Sequence, residues 1–390
     1  MPHIKVANIA ALDLFYNILR MTFKELNLCS AIINSLDEKG YQSPTAIQQQ
    51  TIPHILLGKD IVASAATGTG KTASFCIPIL QLLSTGKPNS GVRALILAPT
   101  RELAIQVFDN LRFYGKNLPL KSAVIYGGVS QFLQVKEIRN GVDIIVATPG
   151  RLQDLIDQRI LTLKHLEILV LDEADRMLDM GFIHNIKKLL KIMPSPRQNI
   201  FFSATMPVEV LALIRSITVA SVQVKIAAPA KASIDQSVYH VSREDKRSLL
   251  KHVIDEHKMS NVIVFARTKY GADKIAKDLA KAGISAEAFH GDKSQNERQR
   301  TLANFKKSST RVLVATDIAA RGIDIVDLPF VINYELPESA ETYTHRIGRT
   351  GRAGKTGSAL SFCDREERGY LNNINRISKK HLSVIEHPFN

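Results

Sequence analysis

The chain has 390 residues, 45% hydrophobic and 23% charged, with 51 lysines and arginines against 37 acids. That length suggests two or three domains, and that balance excludes a disordered or fibrous chain. No apolar run approaches the roughly 20 residues that span a bilayer, and three scattered cysteines (Cys29, Cys76, Cys363) argue against a disulfide framework or zinc site and for a reducing cytoplasm.

Residues 1–20 place Asp13 within an apolar stretch and offer no small-residue cleavage site, so they do not read as a secretory leader; they read as an N-terminal extension, either a mis-called start, the favoured reading, or an added amphipathic helix. Short Val/Ile-rich runs then alternate with amphipathic stretches. Strands are expected at Ile61–Ala65, Ala94–Ala98, Ala123–Tyr126, Asp143–Ala147, Ile168–Leu171 and Ile200–Ser203. Between them, positions such as Leu103, Gln106, Val107 and Leu111 have helical spacing. Continuous apolar strands separated by helices predict a parallel sheet covered on both faces.

Residues 219–235, with Pro229, several alanines and no helical period, read as a linker. The pattern restarts at Val262–Phe265, Ala286–Phe289, Val312–Ala315, Val331–Asn333 and Ala359–Phe362. The expected architecture is therefore α/β: two tandem domains, 21–218 and 236–380, each a parallel sheet flanked by helices, followed by a short tail over 381–390. The net charge of +14 divides evenly, 24 basic and 17 acidic residues through Ala230 and 27 and 20 beyond it, or +7 each. An even basic excess suits a polyanion lying across both halves, with nucleic acid the leading candidate.

Ala65-Ala66-Thr67-Gly68-Thr69-Gly70-Lys71-Thr72 follows the first expected strand and precedes a helical stretch, the context a phosphate-binding loop requires. Its glycines let successive N–H groups face phosphates, Lys71 reaches the β- and γ-phosphates of ATP, and the Thr72 hydroxyl can ligate Mg²⁺. The strand Ile168–Leu171 delivers Asp172 and Glu173. Asp172 suits the metal, through water, and Glu173 suits a carboxylate that polarises the attacking water. Arg349 and Arg352, in His345-Arg-Ile-Gly-Arg-Thr-Gly-Arg352, either place cation density on the γ-phosphate or form a patch for RNA phosphates.

With these residues in place, the sequence resembles the DEAD-box RNA helicases over about residues 21–380, and within them the bacterial RhlE type. Asp172-Glu-Ala-Asp175, Ser203-Ala-Thr205 and His345–Arg352 carry the resemblance. It implies two RecA-like domains that hydrolyse ATP with Mg²⁺ to open or remodel RNA locally, without long translocation. It implies that Gln48 bonds the adenine edge, that Tyr41 packs against the base, and that Phe23 matches the upstream aromatic. It implies an ATP contact from Asp324 in the second domain. RNA backbone contacts are implied for Arg101, Gly128, Thr148 and Arg151, and for Arg267, Gly291, Gln295, Arg298 and Thr316. Asp175, Ser203, Thr205 and His345 would couple nucleotide state to RNA grip. Protein partners in ribosome assembly or RNA decay, a monomeric state and no membrane complete the expectation. Ala66 stands where the family usually has glutamine, and residues 1–20 precede the family's usual start near Met21-Thr22-Phe23. Two alternatives stay open: a DNA translocase on the same core, and an RNA clamp whose ATP turnover only times release.

Overall fold

The computed structural model describes residues 21–66, 68–86, 91–226, 234–320, 323, 325, 328–351, 356–378 and 381–389. The chain divides into two compact units, with the boundary between residues 228 and 229. In the first, β1 (Asp60–Ser64), β2 (Ala94–Leu97), β3 (Ser122–Ile125), β4 (Ile144–Ala147), β5 (Ile168–Asp172), β6 (Gln198–Ser203) and β7 (Ser221–Lys225) form one sheet in the order β3-β4-β2-β5-β6-β1-β7. In the second, β8 (Ile234–His240), β9 (Val262–Phe265), β10 (Ala286–Phe289), β11 (Val312–Ala315), β12 (Phe330–Asn333), β13 (Gly357–Cys363) and β14 (Ser383–Val384) follow the order β10-β11-β9-β12-β13-β8-β14. Every strand pairing in both sheets is parallel.

The apolar runs feed two cores at once because successive residues of a strand point to opposite faces. Ala94 and Ile96 of β2 join the cluster of Phe75, Ile79 and Leu111, whereas Leu95 and Leu97 join that of Leu152, Leu169 and Leu189. In β9, Val262 and Val264 likewise face one core and Ile263 and Phe265 the other. Each such buried aliphatic side chain contributes about 1.5–3 kcal/mol. The helix Arg101–Tyr114 shows why the covering helices form where they do. Thr100 caps it by accepting from the Leu103 N–H at 3.3 Å, and Leu103, Ala104, Val107, Leu111 and Tyr114 bury one stripe.

Three strands depart from the sequence expectation. β7 and the start of β8 occupy parts of the segment expected as linker, and β14 lies in the segment expected as tail. Residues 227–233 and 1–20 lie outside the described residues. β7 and β14 are edge strands, β14 exposed and β7 burying only Val224, so Ser221, Gln223 and Lys225 need no apolar run to pair. β8 buries Val238 and Tyr239 but carries Asp235 and Gln236, which hid it among polar residues. Among the described residues no helix is long and apolar enough to cross a membrane.

Candidate functional site

Apart from Phe23, Tyr41 and Gln48, which precede β1, the chemistry-bearing residues of the first unit lie at or just after the carboxyl ends of its strands, where ligands of parallel sheets gather. The strand order sorts them. The ends of β3, β4 and β2 lead into Gly128, into Thr148 and Arg151, and into Arg101; the ends of β5, β6 and β1 lead into Asp172 and Glu173, Ser203 and Thr205, and the loop before Lys71. The RNA and ATP candidates thus occupy adjoining halves of one sheet edge.

Beyond β1 the backbone turns through Gly68 and Gly70, at φ +87° and +94°. Gly70 is required twice over: its φ is left-handed, and a Cβ there would come 2.5 Å from Gln48 Nε2. The Thr69 hydroxyl donates to the Ala66 carbonyl at 2.8 Å and Ser74 Oγ to the Gly70 carbonyl at 3.1 Å, which fixes the loop against the helix Lys71–Thr85. Ala65 donates its N–H to Ser203 O at 3.2 Å. Thr67 lies outside the described residues.

Lys71 is 7% exposed and Asp172 3%, yet Lys71 Nζ and Asp172 Oδ1 have no hydrogen-bond partner among the described residues. Burial pushes the Asp172 carboxyl up to about 7; the Lys71 charge opposes that and the neighbouring Glu173 adds to it. Buried charges left without partners are costly, and groups of this kind mark where a ligand completes the site. Phosphate oxygens would satisfy Lys71. A hard cation would satisfy Asp172, with Thr72 half-buried in the first helical turn as a second oxygen donor. Among the described residues no group of three or more His, Cys, Asp or Glu could hold a metal alone.

Glu173 sits at φ +55°, a left-handed position that costs a non-glycine residue about 1–3 kcal/mol and persists only where its surroundings fix it. Its carboxylate is held by Arg176, whose Nη1 donates to Glu173 Oε2 at 2.6 Å with both side chains largely buried. Sequence reasoning missed Arg176; its position three residues after Glu173, on the helix Ala174–Asp179, was the available signal. Asp175 ties the same turn to β6. Its N–H donates to Ser203 Oγ at 3.2 Å, and its Oδ2 accepts from the Thr205 N–H and hydroxyl, each at 2.8 Å. Burial alone would raise the Asp175 carboxyl, but the Ser203 and Thr205 hydrogen bonds outweigh it and hold it below the usual range.

Gln48 lies in the capping box of the helix Ala46–Leu56. Its Oε1 accepts the Thr45 N–H at 2.9 Å and its Nε2 donates to the Gly70 carbonyl at 3.1 Å. The amide is therefore bonded to the phosphate loop, and each end retains one further bonding position. Tyr41 is half-buried, 6.4 Å from the Tyr114 ring, with the Lys39 ammonium 5.8 Å from its own centroid. Phe23 is 4% exposed and belongs to the core cluster that includes Ile32 and Leu36.

On the other half of the edge, Gly128 is at φ +77° and a Cβ there would collide with the Arg101 guanidinium. Arg151 donates to the Val129 carbonyl at 3.1 Å, and Thr148 stands at the N-cap position of the helix Pro149–Asp157 that carries it, without a side-chain capping bond. The second unit repeats the plan at β10, β11 and β9, whose ends lead into Gly291, Thr316 and Arg267. Gly291 is exposed and Thr316 buried. Gln295 and Arg298 are buried in the first turns of the helix Gln295–Lys306, with the Arg298 guanidinium 4.8 Å from the Phe289 centroid. His345 is half-buried in the helix Ala340–Ile347. Arg349 is 4% exposed and donates from Nη1 to the Ile323 carbonyl at 2.8 Å, one residue before Asp324. Asp324 and Arg352 themselves lie outside the described residues. Arg346, absent from the expected site, makes a bidentate pair with Asp317 at 2.6 and 2.7 Å and braces the segment that carries Arg349.

Residues 45–214 match the family model described as DEAD/DEAH box helicase, and residues 245–354 the one described as helicase conserved C-terminal domain. The chain is 41% identical over 369 residues to the DEAD-box ATP-dependent RNA helicase CshA of Bacillus cereus, covering 94% of this chain and 70% of that protein. Against CshA of Bacillus subtilis it is 40% identical over 370 residues, covering 94% and 74%. A DEAD box protein from Methanococcus jannaschii shares 42% identity over 94% of this chain and 99% of its own, with a TM-score of 0.54. Dbp5 of S. cerevisiae, solved bound to RNA and ADP BeF3, shares 30% identity over 93% and 95%, with a TM-score of 0.80. The bacterial relatives are CshA proteins, a branch related to the RhlE type that the motifs resemble.

Proposed function

The chain belongs to the DEAD-box ATP-dependent RNA helicases, and on that premise we propose that it opens short RNA duplexes locally, its two RecA-like domains closing over ATP and the RNA backbone and reopening after hydrolysis. The observation that supports this most directly is the sheet edge of the first unit. A buried lysine and a carboxylate oxygen, neither with a partner among the described residues, stand there beside loops of glycine, small hydroxyls and arginine. Dbp5, solved with RNA and ADP BeF3 together, supports joint occupation of both halves.

In this reading Lys71 bonds the β- and γ-phosphates, and Thr72 and Asp172 would hold Mg²⁺, Asp172 through water. The cation, when bound, neutralises charge developing on the phosphate oxygens. Glu173, held by Arg176, takes the proton of the attacking water. Arg349 and Arg352 come from the second domain to the γ-phosphate, and Asp324 contacts the nucleotide. Asp175, Ser203 and Thr205, with His345, relay nucleotide state to the RNA half. The RNA is held through its phosphates and sugars by Arg101, Gly128, Thr148, Arg151, Arg267, Gly291, Gln295, Arg298 and Thr316, which gives grip without base readout.

Single-turnover unwinding of a short RNA duplex, beside steady-state ATPase with RNA or DNA, tests the whole proposal. RNA should stimulate ATPase and ATP should drive strand separation. Equal stimulation by single-stranded DNA would indicate a translocase on DNA, and turnover without strand separation would indicate a clamp.

Two narrower results are expected. Gln48→Ala should weaken ATP by on the order of 1–3 kcal/mol and erase the preference for ATP over GTP, because adenine loses a paired partner. The ratio of KM values for the two nucleotides measures this. An equal loss for ATP and GTP would leave Gln48 as a brace between Thr45 and Gly70 only. RNA affinity should also fall steeply with salt and change little with base sequence. If Arg101, Arg151, Arg267 and Arg298 each neutralise one phosphate of a single strand, the log–log slope is roughly −3. A flat salt response with a strong sequence preference would point to base readout instead.

A further inference from the structure

The second unit buries a charge cluster behind the end of β9. Lys246 is 2% exposed, at the start of the helix Lys246–Glu256. Its ammonium lies 2.5 Å from Glu367 Oε2, 3.0 Å from Asp364 Oδ2 and 6.0 Å from the centroid of the Tyr334 ring. Glu367 is equally buried, and its second oxygen, Oε1, accepts the Leu336 N–H at 3.1 Å and Arg267 Nη2 at 3.0 Å. Asp364 Oδ1 accepts the N–H groups of Glu366 and Glu367, which sets the turn that aims Glu367 inward. Burial pushes the Glu367 carboxyl above its usual range, and the charge and hydrogen bond of Lys246 oppose that rise. Lys246 thus favours the ionised form of a carboxylate that burial would otherwise disfavour.

Arg267 is the one member of the cluster that reaches the surface, with its side chain 43% exposed. Its backbone N–H donates to Glu335 Oε2 at 2.7 Å, Nη2 also approaches the Leu336 carbonyl at 3.4 Å, and the guanidinium lies 5.6 Å from the Tyr370 centroid. The group is gripped along its inner edge and open along its outer one. A buried ion pair is no better for stability than apolar packing of the same volume, so Lys246 and Glu367 need a reason beyond stability to be there.

We infer that Glu367 is a positioning residue for RNA binding: with one carboxylate oxygen held by Lys246, it fixes the other so that the Arg267 guanidinium presents its outer edge to an RNA phosphate. This rests on the assignment of Arg267 to the RNA backbone. Immobilising a free arginine on binding has an entropic cost that a pinned one has already met, which corresponds to about 3- to 10-fold in affinity. The contact is invisible in the sequence, since Arg267 and Glu367 are 100 residues apart and Lys246 and Glu367 are 121 apart.

The test is a double-mutant cycle on the full chain, read by fluorescence anisotropy of a labelled oligouridylate with a non-hydrolysable ATP analogue present. Glu367→Gln and Arg267→Met should each weaken RNA binding, Glu367→Gln by about 3- to 10-fold, and the double variant should bind no worse than Arg267→Met alone. In steady state Glu367→Gln should raise the RNA concentration for half-maximal ATPase and leave the maximal rate unchanged. If Glu367→Gln costs the same factor in the Arg267→Met background, Glu367 acts through the fold and the positioning role is overturned, while the RNA role of Arg267 stands. If Arg267→Met leaves RNA affinity intact, the arginine leaves the RNA site and both assignments fall. Should Glu367→Gln not fold, Glu367→Asp keeps the charge, shortens the reach and enters the same cycle with the same expected outcomes.

Discussion

Glu173→Gln is expected to slow ATP turnover by about 10²–10⁴-fold while ATP and RNA still bind, since the variant keeps the side chain's shape but cannot take a proton from water. The surroundings of Glu173 make the test sharp. Its left-handed backbone and its place at the start of the helix Ala174–Asp179 depend on the main chain, which the amide leaves alone. What changes besides the base is the 2.6 Å pair with Arg176. Arg176→Met removes that pair and keeps the carboxylate, so it serves as the control. Single-turnover hydrolysis and nucleotide affinity should be measured for both variants. A collapse of the chemical step in Glu173→Gln with a much smaller loss in Arg176→Met assigns the effect to proton abstraction. Comparable losses in both would make the ion pair, rather than the base, the source. Near-normal turnover in Glu173→Gln would remove Glu173 from the role altogether.

The fold was legible where a strand is buried on both faces, because an apolar run fills most of such a strand. Val262–Phe265 and Val312–Ala315 were expected at the residues where β9 and β11 occur, and Ile168–Leu171 stops one residue short of β5. It was not legible at β7 and β14, where one neighbour and solvent suffice, nor at β8, whose Asp235 and Gln236 broke the pattern. The same division holds for the candidate site. Lys71, Asp172 and Glu173 could be read because phosphate chemistry constrains both residue type and local spacing, and their context of strand, loop and helix lies within a few residues. Arg346 with Asp317, and Lys246 with Asp364 and Glu367, join segments 29 to 121 residues apart, and only the folded chain brings them together. Gln48 lies between these cases. Its position was readable, but its hydrogen bond to the Gly70 carbonyl was not, and that bond gives the residue a bracing role alongside the one expected with adenine.

Arg349→Lys is expected to lower the maximal ATPase rate at saturating RNA by a large factor, since arginines that complete a γ-phosphate site contribute roughly 10³–10⁵-fold to phosphoryl transfer. The substitution keeps the charge, so a loss isolates the planar fork. Arg349 in the second unit is 4% exposed with one guanidinium nitrogen on the Ile323 carbonyl. A lysine ammonium can meet that carbonyl, which lets the local structure survive, but it cannot also present a second parallel N–H to a phosphate oxygen. The bidentate Arg346–Asp317 pair is left untouched, so the helix Ala340–Ile347 stays anchored in the variant. RNA affinity in the same protein decides between the two sources of an effect. If Arg349 serves the γ-phosphate, the maximal rate falls and RNA affinity changes little. If it belongs to a phosphate patch for RNA, the half-saturating RNA concentration rises, the wild-type rate returns once RNA saturates, and the domain-closure mechanism loses the arginine on which it depends.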